Sequence, residues 1–131
     1  IANEDFYKEY IKDLKESNFI ISAFIDPITS QIDCAKSIGF DCIELHTGNY
    51  ANSTLNNKFE HLQNIKEATY YASDLDLLVN AGHGLNYQNV TEIASIKNIN
   101  ELNIGHSIVA RALAVGLEKS VREMKALISI K

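Results

Sequence analysis

Apolar positions recur along the chain in two rhythms. From residue 4 to residue 16, Phe6, Tyr7, Tyr10, Ile11 and Leu14 fall at helical steps. That spacing predicts an amphipathic helix with one buried face, capped by Asn3 and broken at Ser17-Asn18. Residues 19–25, Phe-Ile-Ile-Ser-Ala-Phe-Ile, form an apolar run without alternation, which predicts a strand covered on both faces, as in a parallel sheet. Asp26-Pro27 ends it. Ile32, Ala35 and Ile38 then mark a short helix, opened by a Ser30/Asp33 capping pattern and stopped by Gly39. Cys42-Ile43-Glu44-Leu45-His46 reads as a second strand, followed by a polar loop from Thr47-Gly48 through Asn57. Phe59, Leu62, Ile65, Ala68 and Ala72 place a helix over residues 58–73, and residues 77–80 a third strand. Asn89 with Glu92 caps a short helix carrying Val90, Ile93 and Ala94. A short strand follows in Glu101-Leu102-Asn103. The last helix spans residues 108–128, with Val109, Ala112, Leu113, Leu117, Val121, Met124 and Leu127 as its stripe and Gly116 placed to kink or divide it.

The order is one helix, then strand–helix four times. Such alternation predicts an α/β fold with a parallel sheet and right-handed crossovers. No linker or low-complexity run interrupts residues 1–131, so one domain is expected. Hydrophobic residues make up 46% of the 131, enough for a core, and the net charge of −5 gives no reason to expect nucleic acid or an anionic membrane as partner. No apolar run reaches the roughly 20 residues of a membrane helix, and no signal peptide is visible. Cys34 and Cys42 are wrongly spaced for a zinc or CxxC redox site and read as buried thiols of a reducing compartment. The chain opens Ile-Ala-Asn-Glu without an initiator Met, as a piece of a longer protein would.

Each strand is apolar in its body and polar at its carboxyl end. The ends carry Asp26; Glu44 and His46; Asn80 and His83; and Asn103 and His106. Ligands of parallel α/β proteins bind at that end of the strands. Around His83 the stretch Val79-Asn80-Ala81-Gly82-His83-Gly84-Leu85 combines a proton-exchanging side chain with glycines that allow close backbone approach. The bland alternative is a glycine-rich turn with an incidental histidine. Ser107 opens the last helix, whose first N–H groups suit a phosphate dianion. Asp26 fits a turn-shaping role as well as a functional one. Glu44 lies inside an apolar segment, where an unpaired carboxylate is costly, which favours a functional or network role. His46 reads as a satisfied strand-end histidine, His61 as a surface residue, and Tyr70 and Tyr71 as packing. No HxH or HExxH spacing supports a metal, and the glycine context favours an anion over one.

Two of these stretches, Val79–Leu85 and Glu101-Leu102-Asn103-Ile104-Gly105-His106-Ser107, resemble pyridoxine 5'-phosphate synthase of the deoxyxylulose-dependent vitamin B6 pathway. Phe24-Ile25-Asp26 and Ile43-Glu44-Leu45-His46-Thr47-Gly48-Asn49-Tyr50-Ala51 resemble earlier strand ends of the same family. The order agrees along nearly the whole chain. The resemblance implies a (β/α)8 TIM barrel, of which this chain carries about the last four strand–helix units. It also implies a cytoplasmic homo-octamer, a transferase-type synthase without metal or redox cofactor. Its substrates would be 1-deoxy-D-xylulose 5-phosphate and 3-amino-2-oxopropyl phosphate. By the same resemblance His83 is the proton donor and Glu44 the strand-end active-site carboxylate, while Gly84, Gly105 and His106 bind the aminooxopropyl phosphate.

The family's N-terminal half supplies an Asn-x-Asp-His segment, a general-base histidine, an arginine on the deoxyxylulose phosphate and a general-base glutamate. None has a counterpart here. The isolated chain is therefore expected to be inactive, and to present two unpaired sheet edges and an uncovered apolar inner face to a partner: its missing half or a copy of itself. Two competing readings are a half-barrel that binds a phosphate ester without chemistry, and another phosphate-binding barrel enzyme with a different carbon skeleton.

Overall fold

The computed structural model describes residues 4–129, so the Asn3 cap lies outside the described residues. The elements run α1 (Glu4–Glu16), β1 (Ser22–Ile25), α2 (Thr29–Ile38), β2 (Cys42–His46), α3 (Gly48–Ala51), α4 (Leu55–Asp74), β3 (Leu78–Gly82), α5 (Val90–Ala94), β4 (Ile99–Asn103), α6 (His106–Val115) and α7 (Leu117–Ile128). The four strands form one parallel sheet in the order β1-β2-β3-β4. This is the α/β architecture that the alternating rhythms predict, four consecutive units of a β/α barrel.

The register sorts the side chains into two faces. Ala23, Ile43, Val79 and Ile99 share one row, and Ile25, Leu45, Ala81 and Leu102 another. These rows pack against Ile32 and Ala35 of α2, Ile65, Ala68 and Ala72 of α4 and Ile93 of α5, forming the core. Strand alternation turns the intervening rows the other way. Phe24, Glu44, Asn80 and Glu101 form one such row, and His46, Gly82 and Asn103 the next, nearest the carboxyl ends. The uncovered face is therefore mostly polar rather than apolar, with Phe24 and Leu78 its exposed large apolar residues.

Several boundaries differ from expectation. Backbone pairing starts only at Ile21, whose carbonyl accepts from the Asp41 and Cys42 amides, so Phe19 and Ile20 fall outside β1 and are exposed. The α2 helix starts at Thr29 rather than behind a Ser30 cap, and Gln31 reaches back to accept from the Asp26 amide at 3.0 Å. The polar loop after β2 contains α3, and α4 begins at Leu55, not at residue 58. β3 runs into Gly82, β4 starts at Ile99, and Gly116, with φ +85°, divides the last helix in two. Of α1's expected face only Ile11 is buried, and Phe6, Tyr7 and Tyr10 lie at the surface. Cys42 is buried but Cys34 only half so. His61 is half-buried, and Tyr70 and Tyr71 are exposed, Tyr71 donating to Asp33 at 2.6 Å.

One polar network fastens the β2–α4 connection to the body. The buried Tyr50 hydroxyl lies 2.7 Å from both the Asn89 carbonyl and Glu92 Oε2. Lys58 pairs with the same carboxylate from α4. Burial, then the Glu92 hydrogen bond, pushes the Tyr50 hydroxyl well above its ordinary pKa. The bonds from Lys58 and Tyr50 hold Glu92 below the usual glutamate range. Tyr50→Phe removes the hydroxyl whose single proton serves these two acceptors, the Asn89 carbonyl and Glu92, and should cost about 1–3 kcal/mol in urea denaturation. Because the folded-state pKa of Glu92 is depressed, its contribution is present above the unfolded value and fades as pH falls through the folded one. The stability gap between the wild type and Glu92→Gln should accordingly close on acidification.

Candidate active site at the carboxyl ends of the strands

The β2–β3 pairing continues one step beyond the sheet. The Thr47 amide donates to the Gly82 carbonyl at 2.8 Å. Its hydroxyl, fully buried, lies 2.7 Å from that carbonyl and 2.6 Å from the His83 carbonyl. This double contact holds the turn after β3, in which His83 takes φ +81° and Gly84 φ +76°. A left-handed histidine is uncommon and carries backbone strain of about 1–3 kcal/mol, which such turns keep only when their surroundings impose it.

The turn presents the His83 ring, exposed, against His46, with ring centroids 4.7 Å apart. His46 has partners, as a satisfied strand-end histidine does. Its Nδ1 lies 3.4 Å from Asp26 Oδ1, and its ring meets that of Phe24 edge to face with centroids 5.3 Å apart. Gly48 makes room for the imidazole, since a Cβ there would sit 2.7 Å from His46 Cε1 and Nε2. Asp26, weighed equally as a turn former, therefore has a side-chain partner at the site.

On the other side, Glu44 accepts from Asn103 Nδ2 at 2.6 Å. Glu44, His83, Gly84, Asn103, Gly105 and His106 all border one open cavity of about 510 Å³, with Phe24, Leu85, Asn86, Ile104 and Ser107 completing its wall. The residues to which the resemblance assigns roles, Glu44, His83, Gly84, Gly105 and His106, thus border one mouth, whereas the strand-end candidates Asp26, His46 and Asn80 are not part of its wall. Gly105 is the N-cap of α6, and His106 its first residue. The Ser107 hydroxyl is committed elsewhere, donating to the Leu85 carbonyl at 2.8 Å, so the α6 terminus offers the cavity its backbone amides rather than that hydroxyl. Among the described residues no group of three or more His, Cys, Asp or Glu could hold a metal ion, and no helix is long and apolar enough to cross a membrane.

In the sequence Asn103 stood out only as a strand-end amide and Gly82 only as a turn glycine, while Thr47 and Phe24 drew no role at all. All four stand in the very stretches that carry the resemblance. Their roles depend on cross-strand register, which periodicity does not reveal.

Parallel β/α units with polar groups gathered at the strand carboxyl ends define an α/β-barrel protein with its candidate site at the barrel mouth. The chain belongs to the PdxJ family, pyridoxal phosphate biosynthesis protein PdxJ, whose family model matches residues 1–130. A pyridoxine 5'-phosphate synthase from Prochlorococcus marinus subsp. pastoris is 63% identical over 128 residues, covering 98% of this chain and 54% of that protein. Proteins of the same name from Sulfurihydrogenibium sp. and Thermodesulfovibrio yellowstonii are 51% and 50% identical, with 95% and 98% of this chain covered and 51% and 53% of theirs. The chain spans about half the length of the curated relatives it matches.

Two glycines of the cavity differ in what they tolerate. A Cβ on Gly84 would lie 2.6 Å from the Ala51 Cβ at a positive φ, whereas one on Gly105 meets nothing within 4 Å. Gly84→Ala should destabilise the fold by about 1–3 kcal/mol, measured by thermal melting. Gly105→Ala should cost about 1 kcal/mol or less, the loss expected of a cap position, and so isolates ligand contact from folding.

Proposed function

We propose that this chain forms the C-terminal half of a pyridoxine 5'-phosphate synthase. The full protein condenses 1-deoxy-D-xylulose 5-phosphate with 3-amino-2-oxopropyl phosphate to pyridoxine 5'-phosphate, inorganic phosphate and water. Family membership supports the general activity. The observation that carries the site assignment is the shared cavity of Glu44, His83, Gly84, Gly105 and His106.

Ring closure between an amine and carbonyls requires repeated proton transfers and the departure of water and phosphate. His83 reaches the cavity from a constrained turn and suits protonation of a leaving oxygen. Gly84 and Gly105 place bare backbone beside the cavity, and the first amides of α6 have no intrahelical acceptor. Together with the His106 side chain they form a cradle for a phosphate ester. Such a hold keeps the reacting carbons together. Glu44 sets a negative group where positive charge develops on the substrate nitrogen as it adds to a carbonyl.

The remaining groups belong to the N-terminal half, which pairs with the free edges of β1 and β4 and closes the barrel. The assembled protein is a cytoplasmic transferase-type homo-octamer without metal or redox cofactor.

The full-length protein given both phosphate substrates should release pyridoxine 5'-phosphate, and His83→Asn should lower kcat by about 100-fold or more. Binding of both esters without product would replace this reading with that of a phosphate-ester-binding barrel. The 131-residue chain alone should show no turnover, and light scattering should find it multimeric. A stable soluble monomer would count against the unpaired edges as the driving feature.

A further inference from the structure

We propose that Asn103 and Gly82 are the positioning residues of the Glu44 carboxylate, together fixing which of its oxygens the cavity sees. The proposal rests on the reading of Glu44 as an active-site group.

Glu44 belongs to the row of Asn80, one step below the row that holds Gly82 and Asn103. Its side chain nevertheless rises to that upper row and crosses the middle strand. The position a Cβ would take on Gly82 lies 2.3 Å from Glu44 Oε1 and 3.0 Å from both the Asn103 Cβ and the Asn103 carbonyl oxygen. The carboxylate thus fills the space a side chain at 82 would need, and β4 closes the slot from the other side. Gly82 has no positive φ, so its lack of a side chain answers to this crossing rather than to backbone conformation.

At the far end of the crossing, Asn103 Nδ2 donates to Glu44 Oε2 at 2.6 Å. An ionised carboxylate only accepts, so the amide must turn its nitrogen toward it. Hydrogen bonds to ionised groups are the short, strong ones. Among the described residues no cation pairs with Glu44. Nothing else in the described set therefore selects between its two oxygens. With Oε2 engaged by β4, Oε1 stands over the bare Gly82 backbone, and the carboxylate bridges three strands at the mouth. A freely rotating glutamate would spread its charge over several positions, whereas preorganised charge costs no rearrangement during reaction.

The test uses the full-length protein, steady-state kinetics with both substrates, and thermal melting. Asn103→Ala should lower kcat by about 10-fold to 100-fold, the size expected for losing a hydrogen bond to a charged group, with KM for either substrate little changed. Asn103→Asp sets two carboxylates against each other and should lower both kcat and the melting temperature. Adding Glu44→Gln to Asn103→Asp rebuilds the bond with donor and acceptor exchanged. It should restore the melting temperature while kcat stays low.

Wild-type kcat in a folded Asn103→Ala protein would overturn the proposal. So would a rise in KM at constant kcat, which would make Asn103 a direct substrate contact. Failure of Glu44→Gln to restore stability in the Asn103→Asp background would overturn it as well, and this arm stands even if Asn103→Ala does not fold. Absence of synthase turnover in the wild type would defeat the functional reading alone, because the melting-temperature exchange still reports the contact.

Discussion

Parallel pairing of β2 with β3 is the constraint on which the candidate site depends. It places His46 beside Gly82 and carries on through Thr47, whose amide and hydroxyl hold the carbonyls of the following turn. That grip supports a histidine at φ +81°. A ring on a free loop would sample several orientations, while this one is pressed onto a second imidazole that Asp26 faces from just past the end of β1. Sheet geometry, capped by one buried threonine, thus becomes ring geometry at the cavity.

Three glycines serve the site in two physically different ways. Gly48 clears space for an imidazole, Gly82 for a carboxylate and Gly84 for a left-handed turn packed on Ala51. The first two act on neighbouring side chains, so their importance is steric and belongs to another strand or turn. A reading based on backbone freedom alone would miss both. Gly105 differs again, since open space surrounds its missing Cβ and only a ligand would notice one.

Much of the fold was legible because parallel strands and amphipathic helices leave distinct spacings. The β2 strand and the Gly39 stop fall where those spacings put them. Boundaries shifted where hydrogen bonding, not hydropathy, decided them. Phe19 and Ile20 are strongly apolar yet precede the first paired backbone group, and α3 hides in a stretch whose polar composition conceals the buried Tyr50. The candidate site residues were legible because His83, Glu44, Gly84, Gly105 and His106 sit at strand ends or the turns after them. Asn103 was visible as a strand-end amide, but its partner lies 59 positions away and two strands over, a relation that only register discloses. The apolar stripe of the last helix misled in the opposite sense. Val109, Leu113 and Leu117 follow the rule for burial, yet they stand exposed on these four units.

The two faces of the sheet answer to different needs. The rows Ala23–Ile43–Val79–Ile99 and Ile25–Leu45–Ala81–Leu102 find their apolar neighbours among helices of the same four units. The opposite rows hold Glu44, Glu101 and the His46 imidazole and stand outside that core. Cohesion is thereby local to these four consecutive units. Lesions on the helix-facing side should therefore be felt as loss of folded protein, and those on the opposite side should leave protein that still accumulates.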